Sequence, residues 1–317
     1  MIFIISEFDL TTDKVMEWLI ANNTKVYRYN FDDFLQLHSL SITCEEVNIQ
    51  LTSEIKVNDI TKIWHRRAKI SFIPNQIYNE NFIPIEYLKN EEETIQRFLE
   101  QYLKQIFKEK YIGSYIKERD SNKLTFLEVA AKRDCFVPKS LVTGSKEAIR
   151  EFYECNNKLI CKSLRYLFNM EDENYTYKSK GTFIVTEEMI DQLEDYFFPV
   201  YVQEYIEKAF EVRVFFFKFK YYSMAIFSNS NDDTIVDYRM TYDTNRSVPF
   251  VLPQFIEDKL RKIAKDLKLD TGSFDIIVTP DNDYFLLEVN PSGQLDWLSE
   301  NCNYYIEKEI AVELAKN

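Results

Sequence analysis

The order of apolar and polar residues along the chain predicts a mixed α/β protein. The apolar run Met1–Ser6 is followed by a helical pattern over Asp13–Ala21 and then by a second short apolar run, Val26–Tyr29. Two apolar runs separated by one helix are typical of a parallel sheet with a covering helix. Further strands are predicted within Ser41–Thr52 and Ile60–His65.

Longer periodic segments predict helices in the rest of the chain. Apolar residues recur at helical spacing within Tyr87–Lys110 and within Pro253–Leu269, and a terminal helix is predicted over Tyr304–Ala315. Glu187–Phe198 is also predicted to be a helix, ended by Pro199.

Two apolar segments carry a basic residue inside a predicted strand. Lys162 lies within Lys158–Leu164, and Arg213 lies on the same face as Glu211 in a strictly alternating segment. The apolar residues of that segment divide into Phe215 and Phe217 on this face and Val212, Val214 and Phe216 on the other. Because a buried charge is costly unless it meets an opposite charge, both basic side chains are expected to face an anion. Two structural alternatives stay open: Lys162 could extend to solvent from an edge strand, and Arg213 could pair with Glu211.

The segment Gly272–Leu298 reads as a β-hairpin followed by a polar loop. Phe274–Val278 and Tyr284–Val289 are short apolar strands, and the residues between them are typical of turns. The simplest interpretation is a two-residue loop formed by Asp281 and Asn282.

Three oxygen-bearing side chains are expected to converge on one face of this hairpin. The two-residue loop places Asp275 opposite Glu288, and Asn290 lies two residues further along on the same face. Because like charges opposite each other destabilise a sheet, the two carboxylates and the amide oxygen favour a hard cation such as Mg²⁺. A one-residue slip of the register would break this geometry, and the alternative is an exposed hairpin with a hydrated polar face.

Composition and charge exclude several classes of protein. The chain has 317 residues and 45% hydrophobic content, enough for a sizeable core in two or three domains. Its net charge of −13 argues against nucleic acid or an anionic membrane as the main partner, although it would suit a basic peptide. With 5 glycines and no Walker A motif, a long glycine-rich phosphate loop is not expected.

Cysteine and histidine usage points to a reducing compartment. The 5 cysteines form no C-x-x-C pair, and the 2 histidines are too few for a histidine-rich metal site. No apolar run is long enough to span a membrane, and Met1–Ile5 lacks the basic start of a signal peptide. The protein is therefore expected to be cytoplasmic.

The hairpin segment resembles a known family. FDIIVTPDNDYFLLEVNPSGQ resembles the C-terminal signature of the ATP-grasp ligases, in which an acidic strand is followed by an E-x-N-P strand end. The tail NPSGQLDWLSE is similar to the ATP-grasp enzymes that macrocyclise ribosomal peptides, namely the microviridin-type graspetide synthetases and the grasp-with-spasm maturases. The resemblance spans nearly the whole chain. It implies an α/β (α+β) ATP-grasp fold with an N-terminal pre-ATP-grasp α/β domain at 1–113, a central subdomain at 114–199 and a C-terminal subdomain at 200–317.

The resemblance also implies roles for the basic residues and for the hairpin. Lys123, at the start of a helix, and Lys162 would reach the nucleotide phosphates, and Arg213 would face the terminal phosphate or the acyl-phosphate. The three hairpin oxygens would hold the Mg²⁺ of a bound ATP. The hinge whose backbone groups bind adenine would comprise Gln203, Glu204, Tyr205, Ile206 and Glu207, the last of which could bond the ribose hydroxyls.

Two further motifs resemble those of the peptide-maturing enzymes. The segment 63–67 is similar to a W-x-R strand end, where Arg66 or Arg67 could receive a substrate carboxylate; surface arginines are the alternative. Asp237-Tyr238-Arg239 is similar to a D-W-R motif with tyrosine in place of tryptophan. Arg239 would then steer a substrate or phosphate anion.

The function implied by the resemblance is that of an ATP-dependent peptide macrocyclase. Such an enzyme uses ATP and Mg²⁺ to activate Asp or Glu side chains of a ribosomal precursor peptide as acyl-phosphates. It then joins them to Ser or Thr hydroxyls as ω-esters or to Lys amines as ω-amides. The expected partner is a precursor with a leader and a core, nucleic acid and membranes are not expected, and a homodimer is expected from the family.

Two other functions remain open at this point. The first is an ATP-grasp amino-acid ligase that adds glutamate or another amino acid to a protein or small peptide. The second is an inactive ATP-grasp module that binds a peptide or serves as a scaffold. That reading predicts the loss of a metal or phosphate residue, and all of the proposed residues are present.

Overall fold

The computed structural model describes residues 1–30, 35, 37–72, 85–165, 169–171, 175–178, 181–227 and 245–316. Its N-terminal elements are β1 (Ile2–Ser6), α1 (Leu10–Ala21), β2 (Val26–Asn30), β3 (Ser39–Ile42), β4 (Val47–Gln50), β5 (Lys62–Arg66), α2 (Ile85–Phe107) and β6 (Tyr111–Ile112), with 3₁₀ turns at Val57–Asp59 and Lys108–Lys110. Strands β2, β1, β5 and β6 form a parallel sheet in this order, which confirms the predicted β-α-β arrangement. The predicted strand Ser41–Thr52 is instead part of an antiparallel hairpin formed by β3 and β4.

The central part of the chain is a smaller antiparallel sheet with short helices. Its elements are α3 (Tyr115–Arg119), α4 (Lys123–Ala131), β7 (Ser140–Ser145), α5 (Lys146–Asn156), β8 (Leu159–Cys161), β9 (Asn169–Glu171), β10 (Thr176–Lys178), β11 (Phe183–Val185), α6 (Glu187–Asp191) and β12 (Tyr196–Glu204). The sheet has the order β11-β8-β12-β7, and β9 pairs with β10.

The predicted helix Glu187–Phe198 is wrong beyond Asp191. Helix α6 ends there, and β12 already begins at Tyr196. Pro199 lies where the register between β12 and β7 shifts, between Tyr196 and Val200. A proline is tolerated at such an irregularity because its missing N–H is not needed for the ladder, so here it marks a bulged strand and not a helix end.

The C-terminal part is a five-stranded antiparallel sheet in the order β15-β14-β13-β16-β17. Its elements are β13 (Phe210–Phe217), β14 (Lys220–Phe227), β15 (Arg246–Phe250), α7 (Gln254–Asp266), β16 (Thr271–Val278), β17 (Tyr284–Asn290), α8 (Asp296–Cys302) and α9 (Ile306–Ala315).

The two faces of β13 belong to two different cores, as its alternating pattern predicted. Phe215 and Phe217 pack with apolar residues of β1, α1, β5, α8 and α9. On the other face, Val212, Val214 and Phe216 pack with α4 and α7. The N-terminal sheet and helix α4 are therefore fixed on opposite sides of one sheet, and the edge between them carries the polar residues described next. None of the helices within the described ranges has the length and apolar character needed to cross a membrane.

Candidate active site

The three hairpin residues lie where β16 pairs with β17. Asp275 is directly opposite Glu288, and Asn290 is opposite Ser273, as the metal hypothesis required. The predicted two-residue loop is nevertheless wrong. Val278 pairs with Tyr284, which leaves the longer turn 279–283 between the strands. A bulge on β17 next to the Asp275 pair offsets this change, so the acidic pair keeps the predicted register.

Each of the two carboxylates contacts a basic side chain. Nη1 of Arg213 lies 2.6 Å from both carboxylate oxygens of Asp275, its direct neighbour across β13 and β16. Both side chains are buried. Nζ of Lys123, at the first position of α4, lies 2.8 Å from Oε2 of Glu288. The anion that Arg213 meets is thus Asp275, and Glu211, the predicted alternative, pairs with Lys208.

A cavity of about 310 Å³ opens above this edge of the sheet. Its lining includes residues from α3, α4, the segment after β8, the segment before β11 and the end of β17, namely Glu118, Ser121, Lys123, Lys162, Ser163, Leu164, Arg165, Gly181, Thr182, Glu288, Val289, Asn290 and Pro291. The structure therefore brings together Lys123, Lys162, Glu288 and Asn290. Asp275 and Arg213 are not part of the lining and lie buried in the sheet next to Glu288.

The predicted adenine hinge lies at the end of β12 and in the segment that leads to β13. The side chain of Gln203 is buried and donates to Oγ of Ser140 at 3.0 Å. Oε1 of Glu204 accepts from the Lys139 N–H at 2.7 Å, and the Tyr205 N–H donates to the Lys158 carbonyl at 2.9 Å. None of the five hinge residues, which also include Ile206 and Glu207, is among the lining residues of the cavity. Their role toward adenine stays a prediction.

Arg66 and the loop after Asn290 meet in one hydrogen-bonded cluster. The guanidinium is buried, and its Nη1 donates to the carbonyls of Ser292 and Gly293, both at 3.2 Å. The N–H groups of the same two residues donate to Oδ1 of Asn290 at 3.2 and 3.3 Å. Nη2 of Arg66 donates to the Thr11 hydroxyl at 3.1 Å. Arg66 thus holds the loop that orients Asn290, and of the two arginines only Arg67 is partly exposed.

One residue of the cavity was not indicated by the sequence. Glu118 lies on α3, and its Oε1 accepts from the Ser292 hydroxyl at 2.8 Å. Burial raises the pKa of the Glu118 carboxyl. Helix α3 has only 5 residues, so no periodic pattern could separate this glutamate from the surface charges around it. The motif 237–239, with Arg239, lies outside the described residues.

The donor set fits a hard divalent cation. Asp275 and Glu288 offer carboxylate oxygens and Asn290 offers an amide oxygen, and both carboxylates already attract a basic group. Among the residues that the structure describes, no group of three or more His, Cys, Asp or Glu side chains is arranged so that it could hold a metal ion. A Mg²⁺ at this place would therefore take part of its coordination from phosphate or water, which is how proteins usually hold this ion.

We expect the exchange of Arg66 for Lys to weaken Mg²⁺ binding. An ammonium cannot serve two carbonyls and a hydroxyl in the way a planar guanidinium does, so the loop that orients Asn290 would loosen. The Mg²⁺ concentration for half-maximal ADP release should rise about 10- to 100-fold, the usual effect of losing a group that orients a metal ligand. Mg²⁺ titrations of ATP turnover would measure it.

Lys62→Met is the matched control for this experiment. Lys62 lies at the other end of β5, and its Nζ donates to the carbonyls of Glu313 and Lys316, both at 2.8 Å. This variant should lose stability without a change in its Mg²⁺ requirement. An unchanged requirement in Arg66→Lys would contradict the positioning role.

Comparison with known proteins shows which solved structures share the fold of this chain. Neither a protein-family model nor a curated protein matches the chain. Solved structures do match it over nearly its full length. One is a RiPP-associated ATP-grasp ligase from Chryseobacterium gregarium, in complex with ADP and a leader and core peptide. It is 25% identical with a TM-score of 0.81, and the match covers 99% of this chain and 96% of that one.

Two other solved structures are similar. The macrocyclase MdnC of Microcystis aeruginosa, bound with the precursor peptide MdnA, is 23% identical with a TM-score of 0.76 and 99% coverage of both chains. The ATP-grasp ligase PsnB, complexed with a minimal precursor, is 18% identical with a TM-score of 0.71, covering 99% of this chain and 98% of that one. These matches confirm the predicted ATP-grasp fold and the resemblance on which it was based.

Proposed function

We propose that this chain, an ATP-grasp ligase similar along its whole length to RiPP-associated ligases, is an ATP-dependent peptide macrocyclase. It would activate Asp or Glu side chains of a ribosomal precursor peptide and join them to Ser or Thr hydroxyls or to Lys amines. The observation that carries the proposal is the cavity in which Lys123 and Lys162 meet Glu288 and Asn290. It is supported by a similar ligase that was solved with ADP and with a leader and core peptide.

The proposed chemistry begins with two anions that repel each other. A peptide carboxylate must approach the terminal phosphate of ATP, and basic side chains that line the cavity lower this repulsion. Lys123 and Lys162 lie there, and Arg213 and Arg239 are proposed to act on the terminal phosphate and on the substrate. When bound by Asp275, Glu288 and Asn290, Mg²⁺ would supply further positive charge to the phosphates.

The reaction then proceeds in two transfers. The peptide carboxylate attacks the terminal phosphorus, ADP leaves, and an acyl-phosphate forms. The hydroxyl or amine of the acceptor attacks the acyl carbon, and phosphate leaves. Each ring that forms therefore lowers the mass of the peptide by one molecule of water. The protein does not need a covalent nucleophile of its own.

The remaining assignments are part of the same proposal. The adenine is placed at the hinge Gln203–Glu207, and the chain is divided into units at 1–113, 114–199 and 200–317. We propose a homodimer that acts in the cytoplasm on a precursor with a leader and a core. The net charge of −13 supports a peptide partner over nucleic acid or an anionic membrane.

The test uses the purified protein with ATP, Mg²⁺ and a synthetic precursor encoded beside its gene. We expect peptide-dependent ADP release together with the loss of one water per ring in the mass spectrum of the peptide. Hydroxyl and amine linkages can then be told apart by mild alkaline hydrolysis, which opens esters only. A gain of mass equal to an amino-acid residue would favour the alternative amino-acid ligase, and no ADP release would contradict both enzymes.

A further inference from the structure

Two carboxylates among the described residues line the cavity, and their surroundings differ. Glu288 contacts the ammonium of Lys123 at 2.8 Å. Nε of Arg67 lies 4.0 Å from Oε1 of Glu118, beyond hydrogen-bonding distance, and the hydrogen bond to this carboxylate comes from the neutral hydroxyl of Ser292. Glu288 therefore has a charged hydrogen-bonding partner, whereas the hydrogen-bonding partner of Glu118 is neutral.

Hydrogen bonds to a buried side chain hold the backbone of α3, the helix that carries Glu118. Ser114 caps the start of α3 by accepting from the Lys117 N–H at 3.1 Å. The buried carboxylate of Glu100 in turn accepts from the Ser114 hydroxyl and from the Ile116 N–H, the latter at 3.3 Å. This short helix is thus held at its first turn, so that Glu118, in its last turn, keeps a constant position at the cavity wall.

The charged groups that act on Glu118 come from the ends of two strands of the N-terminal sheet. Arg67 and Arg66 at the end of β5 favour its anionic form, and Glu7 after β1 opposes it. Burial is the largest influence and raises the pKa of the carboxyl. A carboxyl with a raised pKa takes up and releases protons nearer to neutral pH, which is what proton-transfer catalysis requires.

We propose that Glu118 is the general base that receives the proton of the acceptor side chain when it attacks the acyl-phosphate; this rests on the proposed function. In that step the acceptor oxygen or nitrogen bonds to the acyl carbon. The bond from that carbon to the phosphate oxygen breaks, and phosphate leaves with the electron pair. The proton of a hydroxyl moves to the Glu118 carboxylate. A lysine acceptor gives one proton to Glu118 before the attack and the second to the departing phosphate.

The alternative role for Glu118 is a structural tie between α3 and the loop at Ser292. Glu118→Gln separates the two roles, because the amide oxygen can still accept from the Ser292 hydroxyl but cannot take up a proton in catalysis. A base is needed only for the second transfer. Hydroxylamine is uncharged at neutral pH and strongly nucleophilic, so it can trap the acyl-phosphate as a peptide hydroxamate without help from a base.

The experiment compares wild type and Glu118→Gln with ATP, Mg²⁺ and the precursor, with and without hydroxylamine. We expect ring formation by the variant to fall about 10²-fold or more, the usual contribution of a general base. Hydroxamate formation and the accompanying ADP release should stay close to wild type. Glu109→Gln, an exposed glutamate in the 3₁₀ turn before β6, should behave as wild type in both assays.

Three outcomes would overturn the inference, two of them in the Glu118→Gln variant and one in Ser292→Ala. The first is a Glu118→Gln variant that forms rings as fast as wild type. The second is a variant that loses hydroxamate along with rings, which would indicate a role in folding or activation. Ser292→Ala, which removes the hydroxyl that lies near both Glu118 and Asn290 and keeps the Glu118 carboxylate, should lose less ring formation than Glu118→Gln, and an equal loss would favour the structural tie. A wild type that neither forms rings nor yields hydroxamate would contradict the proposed function itself.

Discussion

Replacing Glu288 by Gln is expected to abolish most ligation while leaving the fold intact. The amide has the shape of the carboxylate, but it withdraws one of the two negative charges that face each other across β16 and β17. The rate of ring formation at fixed Mg²⁺ should fall about 10²- to 10³-fold, the range observed when one preorganised charge-stabilising group is lost. Peptide-dependent ADP release and water loss from the peptide, followed at several Mg²⁺ concentrations, would measure it.

Asp283→Asn provides a control within the same hairpin. Asp283 is exposed at the turn, where its backbone carbonyl accepts from the Thr279 N–H at 3.0 Å and its own N–H donates to the Thr279 hydroxyl at 3.1 Å. Neither metal binding nor the turn should depend on the Asp283 carboxylate, so this variant should form rings at the wild-type rate. Full activity of Glu288→Gln at low Mg²⁺ would show that the metal assignment is wrong.

Removing the buried partner of Asp275 should have the largest effect on stability. Arg213→Met keeps the aliphatic stem but leaves a carboxylate, 9% exposed, without the guanidinium nitrogen that now lies 2.6 Å from both of its oxygens. Removing one partner of a buried ion pair costs about 3–5 kcal/mol of unfolding free energy. Urea denaturation of wild type and variant in the absence of Mg²⁺ would measure the difference.

Arg261→Met is the comparison that tests burial as the cause. Nη2 of Arg261 contacts Oε1 of Glu257 at 2.7 Å, one helical turn away on α7, but both side chains are partly exposed. Loss of this ion pair should lower the free energy of unfolding by less than about 1 kcal/mol, as is usual for surface ion pairs. Equal losses in the two variants would mean that Asp275 is solvated well enough to do without Arg213.

The sequence predicted the pairing of Asp275 with Glu288 through an incorrect turn. Alternation along each strand identifies which side chains share a face, and this is a local property that can be read from the residues. The lengths of the turn and of the bulge are not local, because each is adjusted to the packing of the whole sheet. The longer turn shifts the pairing by one residue, and the bulge shifts it back by one residue, so the predicted pairing of Asp275 with Glu288 is kept.

The residues that the sequence did not reveal are those whose roles depend on distant elements. Asp275 is the partner of Arg213 because β13 and β16 are neighbours, although 62 residues separate them. Arg66 was a candidate for substrate binding, and its true neighbours, the carbonyls of Ser292 and Gly293, lie more than 200 residues away. Pro199 shows the same limit, because a proline at a bulge within a strand and a proline after a helix look alike until the pairing of that strand is known.

The two-sided packing of β13 has a consequence for how the chain can be divided. Phe215 and Phe217 are almost completely buried, together with Met224 and Ile226 on β14, and part of their cover comes from β1, α1 and β5. A fragment that begins after β6 would lose that cover and present a row of aromatic and aliphatic side chains to water. The N-terminal residues therefore form part of the hydrophobic core of the C-terminal sheet. A fragment that lacks them should expose this apolar surface and aggregate.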